Sequence, residues 1–322
     1  MYNTCMKEYF SNLSAVIAWG IPYIDAVLGN EISELETPHI TVTKPNARFR
    51  NNGKKVRSCV LDLPAGAVVS RNGRMVSSPE LLFLELACNL SIHRLILLGL
   101  QLCSHPPGLP SLAITTKQKL NTFLSKTAGH RGHRKAVQAV KYVENGSASV
   151  MESITFMILA LPHSLGGYGL SGAAFNYEIK LNSEARLRLG QNRCFADLYY
   201  KSTKLAVEYE SFAFHSTPLE QGKDLIRSAV LERQGINLMR LSTIQLYDTD
   251  ACRDFANNLA TRLKKRIRIY SKRFDEMHML LRDLLPDGKP VLPEDLERSQ
   301  HRKLKQGLDR TGNSDAGSRI HA

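Results

Sequence analysis

The chain has 322 residues, 43% of them hydrophobic, enough for two domains with cores of their own and too apolar for a wholly disordered chain. Lys and Arg outnumber Asp and Glu by 43 to 30, a formal net charge of +13, so an acidic partner is expected and nucleic acid is the first candidate. The six cysteines are scattered without a CxxC pair, which argues against a zinc site and for free thiols in a reducing compartment.

No apolar run reaches the roughly 18–20 residues of a membrane span. The first residues also lack a basic region followed by an apolar stretch. A cytoplasmic setting without a membrane partner is therefore expected.

Residues 1–30 carry one helical pattern: Leu13, Val16, Ile17, Ile21, Ile24, Val27 and Leu28 recur at three- and four-residue spacing. Pro22 must kink or end that helix. From 37 to 69 the character changes to short β-prone runs, 39–43, 56–63 and 68–70, separated by basic turns at 44–46 and 48–55. A small sheet with at least one basic hairpin is expected there, its cations being either phosphate contacts or a solvated loop. Ser78 then reads as an N-cap, with Pro79 at the first helical position, and a second apolar helix follows Ser91 over 92–102. These two helices predict a helical hairpin packed on the preceding sheet.

The Pro-rich stretch 105–110 is a candidate joint. Residues 117–143 read as helical around the insert GHRGHRK at 129–135, where Arg131, Arg134 and Lys135 suggest phosphate contact. His130 and His133 have no third metal ligand nearby in the chain. A polar break at 145–149 opens a helix at Val150 that carries Glu152 in its first turn, a position that also suits the helix dipole. The glycine-rich 165–172 lacks the Gly-Lys-Ser/Thr ending of a phosphate loop and reads as a turn. A strand over 175–181 and a basic stretch containing Arg193 follow.

The stretch 196–215, ADLYYKSTKLAVEYESFAFH, holds two β-like runs joined by a polar turn. Side chains alternate faces along a strand, so Glu208 and Glu210 point the same way, and an antiparallel partner brings Asp197 to them. Converging carboxylates are costly without a cation or a shared proton, and metal-dependent hydrolysis is the simplest reason to build such a group. A helix over 219–234 ended by Gly235, a strand over 236–242, a long helix over 250–270 and a last helical piece to 285 complete the pattern. The polar tail to 322 lacks apolar periodicity and is expected to be disordered.

The ordered set Asp197, Glu208, Glu210, His215, Asp224, Arg227 and the segment from Gly235 to Arg240 resembles the PD-(D/E)xK nuclease superfamily, and within it the Vsr-like endonuclease branch. The resemblance spans roughly 149–266. It implies Mg²⁺ or Mn²⁺ held by Asp197, Glu208 and the main-chain carbonyl of Tyr209, with Glu152 adding a carboxylate and His215 acting as general acid or base. Two positions depart from the family pattern: the usual Lys or Asp is Glu210, and the Gly that follows is Ser211. Residues 61–103 resemble, more faintly, the C-terminal part of AbiEi-like antitoxins of bacterial abortive-infection systems.

The expected fold is α/β: an N-terminal α+β module (1–108), a basic helical connector (109–148), a restriction-endonuclease-like core with a mixed central sheet flanked by helices (149–270), and a helical extension with a basic tail (271–322). The expected activity is metal-dependent hydrolysis of DNA phosphodiester bonds, DNA being preferred over RNA. Arg131, Arg134, Lys135, Arg193, Lys223 and Arg227 are the candidate nucleic-acid contacts. The competing reading is an antitoxin-like DNA-binding regulator that keeps the nuclease fold without its catalysis.

Overall fold

The computed structural model describes residues 8–29, 33, 35–44, 53–59, 61–210 and 218–286. His215, most of the basic turn between 44 and 55, and the tail from 287 lie outside the described residues. The class is mixed α/β, with two separate sheets among helices.

The first sheet holds β1 (Glu8–Phe10), β2 (His39–Val42), β3 (Lys55–Ser58), β4 (Val68–Arg71) and β5 (Arg74–Ser77), in the order β3-β2-β1-β5-β4. The expected basic hairpin is corrected here: β2 and β3 run parallel, so they are not the two arms of a hairpin. The hairpin lies one element later, between β4 and β5. It turns on Asn72 and Gly73, with φ of 49° and 74°, the left-handed pair that suits a two-residue hairpin loop.

The helical pattern of the first thirty residues splits into α1 (Asn12–Trp19) and α2 (Ile24–Leu28), divided just where Pro22 forbids continuation. The expected helical hairpin is α3 (Pro79–Leu86) and α4 (Ile92–Leu102). Its caps are as read, with Ser78 Oγ accepting from Leu81 N and Ser91 Oγ from Arg94 N. Short helices α5 (Lys117–Leu124) and α6 (His133–Val140) follow, and then α7 (Val150–Ala160).

The second sheet holds β6 (Ala173–Lys180), β7 (Arg193–Tyr200), β8 (Leu205–Glu210) and β9 (Asn237–Ser242), in that spatial order. The first three strands form an antiparallel meander, and β9 returns parallel to β8 through α9 (Pro218–Arg233). Between β6 and β7 the basic stretch forms an unanticipated helix, α8 (Ser183–Leu189), capped by Asn182.

The sheet is covered on both faces. Leu198, Tyr200, Leu205, Val207 and Leu241 enter the main core with α7, whose residues are nearly all buried. Ala196, Tyr199 and Ala206 form a smaller core with Val230 and Leu231 of α9. The main core is continuous from Tyr9 to Leu284, and buried Gln101 on α4 donates to Ser153 on α7 at 2.9 Å. A short α10 (Thr243–Tyr247), α11 (Thr249–Arg262) and α12 (Phe274–Arg282) close the described chain.

The helix expected to reach residue 270 stops at Arg262, and Lys264 turns left-handed at φ 56°. Extending it would stack Lys264, Lys265, Arg266 and Arg268 along successive turns with no acidic partner among them. The glycine-rich turn after α7 packs against α12: His278 Nδ1 lies 2.7 Å from the Gly166 carbonyl.

Candidate active site at a break in the second sheet

Asp197 stands where two ladders fail. β7 pairs with β8 through Leu198↔Val207, Tyr199↔Ala206 and Tyr200↔Leu205, and no further. In place of the next rung, Asp197 Oδ2 accepts the main-chain N–H of Tyr209 at 2.9 Å. On the other side, Phe175 faces Leu198 and Tyr177 faces Ala196, while Asn176 and Asp197 between them make no pair.

Asn176 causes that second gap. Its φ of 41° is left-handed, which breaks the pleat, and its side-chain Nδ2 donates to Gly146 O at 2.9 Å and to Glu152 Oε2 at 2.8 Å. Sequence reading missed this residue. The signal was present as an Asn, a poor strand former, in the middle of the β-prone run AAFNYEIK.

Glu152 comes from the first turn of α7, which its own neighbours fix. Ser149 Oγ accepts the Glu152 N–H at 3.1 Å, and Glu152 Oε2 accepts the Ala148 N–H at 3.0 Å. The side chain thus caps its helix and also reaches the sheet. Burial pushes its carboxyl up to about 7, and the charge of Asp197 adds to the rise. Burial likewise raises Asp197, against the Tyr209 N–H and Arg227, which lower it.

Glu208 is 9% exposed and is held by Arg227 of α9. Arg227 Nη1 donates to Oε2 at 3.1 Å, and Nη2 sits 2.6 Å from Oε1, a close ionic contact without an aligned N–H. Nη2 donates instead to the Phe195 carbonyl, at 2.7 Å. Burial raises the Glu208 carboxyl, Arg227 opposes the rise and Asp197 adds to it. Glu152, Asp197 and Glu208 therefore form one electrostatic unit.

Glu210 has a guanidinium of its own. Arg240, the register partner of Glu208 on β9, places Nε 3.0 Å from Glu210 Oε1 and Nη2 3.2 Å from the Asp224 carbonyl. Nη2 also donates to Ser228 Oγ. The side-chain hydroxyl of Tyr209 meets Thr243 Oγ1 at 2.9 Å.

The structure thus brings Glu152, Asp197 and Glu208 of the expected site together, with the Tyr209 N–H on Asp197, while Glu210 stands two residues further along β8 on Arg240. Arg227, expected to touch nucleic acid, is the counter-ion of Glu208. Arg193 pairs with Glu178 at 3.2 Å and lies over the Phe195 ring, and Lys223 is exposed on α9. Arg131 and Arg134 are exposed around the start of α6, away from these strands in the chain, and Lys135 donates to the Leu90 carbonyl at 2.9 Å. His130 and His133 set ring nitrogens against the carbonyls of Asp62 and Leu124, at 3.3 and 2.8 Å.

The donor chemistry suits a hard cation, since carboxylates and main-chain carbonyls are its usual ligands. Among the described residues, no group of three or more His, Cys, Asp or Glu side chains stands in a ready metal-binding array. What the site does hold is three carboxyls that act on one another, Glu152, Asp197 and Glu208, with Arg227 on Glu208 and Arg240 on the neighbouring Glu210, and its net charge turns on whether Glu152 holds its proton. Among the described residues no helix is long and apolar enough to cross a membrane. Comparison of the chain with protein-family models, with curated proteins and with solved structures finds no match.

Proposed function

We propose that this chain is a metal-dependent endonuclease that hydrolyses DNA phosphodiester bonds. The observation that carries the reading is the release of Asp197 from both neighbouring ladders, beside two buried carboxylates that share its field. A strand residue gives up its main-chain pairing at a cost, and a carboxylate turned into an acidic recess, with one oxygen on the Tyr209 N–H, is a reason to bear it. The net charge of +13 supports a polyanionic substrate.

Asp197, Glu208 and the Tyr209 carbonyl would hold Mg²⁺ or Mn²⁺, which when bound supplies an activated water and neutralises charge on the scissile phosphate. Arg227 orients Glu208 from α9. Glu152, with its carboxyl raised to about 7, is suited to accept a proton near neutrality. His215 is assigned as general acid or base on its place in the motif.

One observation favours a second reading, a DNA-binding regulator without catalysis. Glu208 and Glu210 are both already engaged by arginine, so a cation must compete with Arg227 for its ligand. The two readings separate in one experiment on plasmid and single-stranded DNA with Mg²⁺ or Mn²⁺. The nuclease reading expects cleavage by the wild type that is lost in Asp197→Ala and in Glu208→Ala. Equal cleavage by all three proteins overturns the site. Salt-sensitive DNA binding that survives both substitutions, with no cleavage by the wild type, establishes the regulator.

A further inference from the structure

From 86 to 143 the chain holds eight Lys and Arg residues and no Asp or Glu, so this stretch alone supplies more than half of the net charge of +13. Seven of those cations fall on or beside α5 and α6, which pack on α3 and α4. The two helices run antiparallel. Lys117 at the start of α5 sets Nζ 3.4 Å from the Lys141 carbonyl at the end of α6, and His133 at the start of α6 sets Nε2 2.8 Å from the Leu124 carbonyl at the end of α5.

The sequence turns the apolar residues of this pair inward and leaves a polar stripe on each helix. Leu120, Phe123 and Leu124 of α5 are buried, as are Ala136, Ala139 and Val140 of α6. The exposed residues at three- and four-residue spacing are Lys119, Thr122 and Lys126 on the first and Arg134, Gln138 and Lys141 on the second, with Arg131 exposed in the turn between. Among the described residues, Lys119, Lys126, Arg131, Arg134 and Lys141 have no carboxylate partner. Two carboxylates border the pair: Glu144 is occupied by Lys117 at 2.7 Å, and Glu80 accepts the Thr115 hydroxyl. Between 113 and 143 no large hydrophobic side chain is exposed. The face therefore lacks the rings on which single-stranded bases stack, the apolar side by which a helix enters a membrane surface, and the apolar centre of a protein interface. Unneutralised positive charge is what it offers, and phosphate backbones are bound by that feature.

We propose that the α5–α6 face is a docking surface for duplex DNA, held through its backbone phosphates without reading of the sequence. The eight residues of α6 span about 12 Å, or three to four base-pair steps of a duplex. Cations stand at both ends of that span, with Lys126, Arg131 and Arg134 at one and Lys119 and Lys141 at the other, so successive phosphates are met together. Thr122 and Gln138 add uncharged donors between them. Docking here needs neither a metal nor the carboxylate site. The inference rests on the proposed function for one choice alone, DNA over RNA.

The test is an anisotropy titration of the full chain in EDTA with a short labelled DNA duplex, across about 50–200 mM salt. The wild type is expected to bind with log K falling linearly in log salt. Lys119→Gln, Lys126→Gln, Arg131→Gln and Arg134→Gln combined should weaken binding at least about a hundredfold near 0.1 M salt and flatten the slope by about 3–4, each phosphate contact contributing about 0.9. All four side chains are exposed, so the melting temperature should not fall. A variant with Arg262→Gln, Arg266→Gln, Arg268→Gln and Lys272→Gln has the same net charge and should keep the wild-type affinity and slope, as should Asp197→Ala. Equal losses in the two fourfold variants would reduce the effect to net charge and overturn the proposal. No loss in the first variant would overturn it too, as would tighter binding of single-stranded DNA, an RNA duplex or phosphatidylserine vesicles at the same salt. Duplex binding that follows these expectations in a wild type that cleaves nothing with Mg²⁺ keeps the docking surface and removes the nuclease reading. Cleavage by a protein whose duplex binding ignores the first four substitutions does the converse.

Discussion

Replacing Glu152 with Gln should stabilise the protein, and only above a particular pH. Both donors to this side chain, Ala148 N and Asn176 Nδ2, converge on the single oxygen Oε2, so the carboxamide oxygen keeps both bonds. What it removes is the titration. Glu152 moves from an ordinary 4.5 to about 7 on folding, because burial and the charge of Asp197 disfavour the anion. At about 1.4 kcal/mol per pH unit, that difference corresponds to roughly 3 kcal/mol. The sign follows from proton binding: the folded state holds this proton more tightly than the unfolded state. The associated stability is full below about 4.5 and is lost as pH rises through about 7. A glutamine side chain at this position would lose nothing over that window. Urea unfolding of both proteins in EDTA should therefore give equal stability near pH 4.5, diverging to a gain of roughly 3 kcal/mol for Glu152→Gln at pH 8. The gain corresponds to about 6–12 °C in melting temperature for a domain of this size. Equal stability at pH 8, or a difference that does not shrink on acidification, would refute the electrostatic account of this site.

Two further substitutions probe the packing and charge around it. Arg227→Leu strips the counter-ion from Glu208 and a donor from the Phe195 carbonyl, and should destabilise by about 3 kcal/mol at pH 8. The loss should lessen in acid, where Glu208 takes up a proton, so a pH-independent deficit in chemical unfolding would show that the pair matters through packing alone. Gly166→Ala puts a Cβ 2.4 Å from the main chain of Met277 and His278, at φ 78°, and should cost about 2–4 kcal/mol by clash and strain together. Gly172→Ala, at φ 105° with nothing within 4 Å, carries strain alone. If the two melt alike, the contact of the glycine turn with α12 is not close.

Much of the fold was legible because its signals are local. Ser78, Ser91, Ser149 and Gly235 fix helix ends by chemistry that acts within one turn. The alternation of 205–210 fixed which carboxylates share a face. The parallel pairing of β2 with β3 was not legible, since a basic loop between two β-prone runs is equally compatible with a hairpin or a crossover. The arginine partners were hidden for a related reason. Arg227 and Arg240 come from a helix and a strand that meet the carboxylates only after β9 has crossed to the far side of β8, and no spacing encodes that.

The position of Asn176 links the break in the sheet to the charge balance of the site. Its left-handed backbone removes the β6–β7 rung at Asp197, and its amide holds the oxygen of Glu152 that also caps α7. One residue thus frees Asp197 and ties down the carboxylate that repels it. With Arg227 and Arg240 each neutralising one partner, the charges left over are those of Asp197 and, once it ionises, Glu152. A proton on Glu152 relieves one of them, and a divalent cation relieves both, so protons and the proposed metal compete for the same repulsion. The apparent affinity for Mg²⁺ should therefore rise with pH through the interval in which Glu152 ionises, and Glu152→Gln should flatten that dependence. A metal affinity that is pH-independent in the wild type would place the cation elsewhere than beside Asp197.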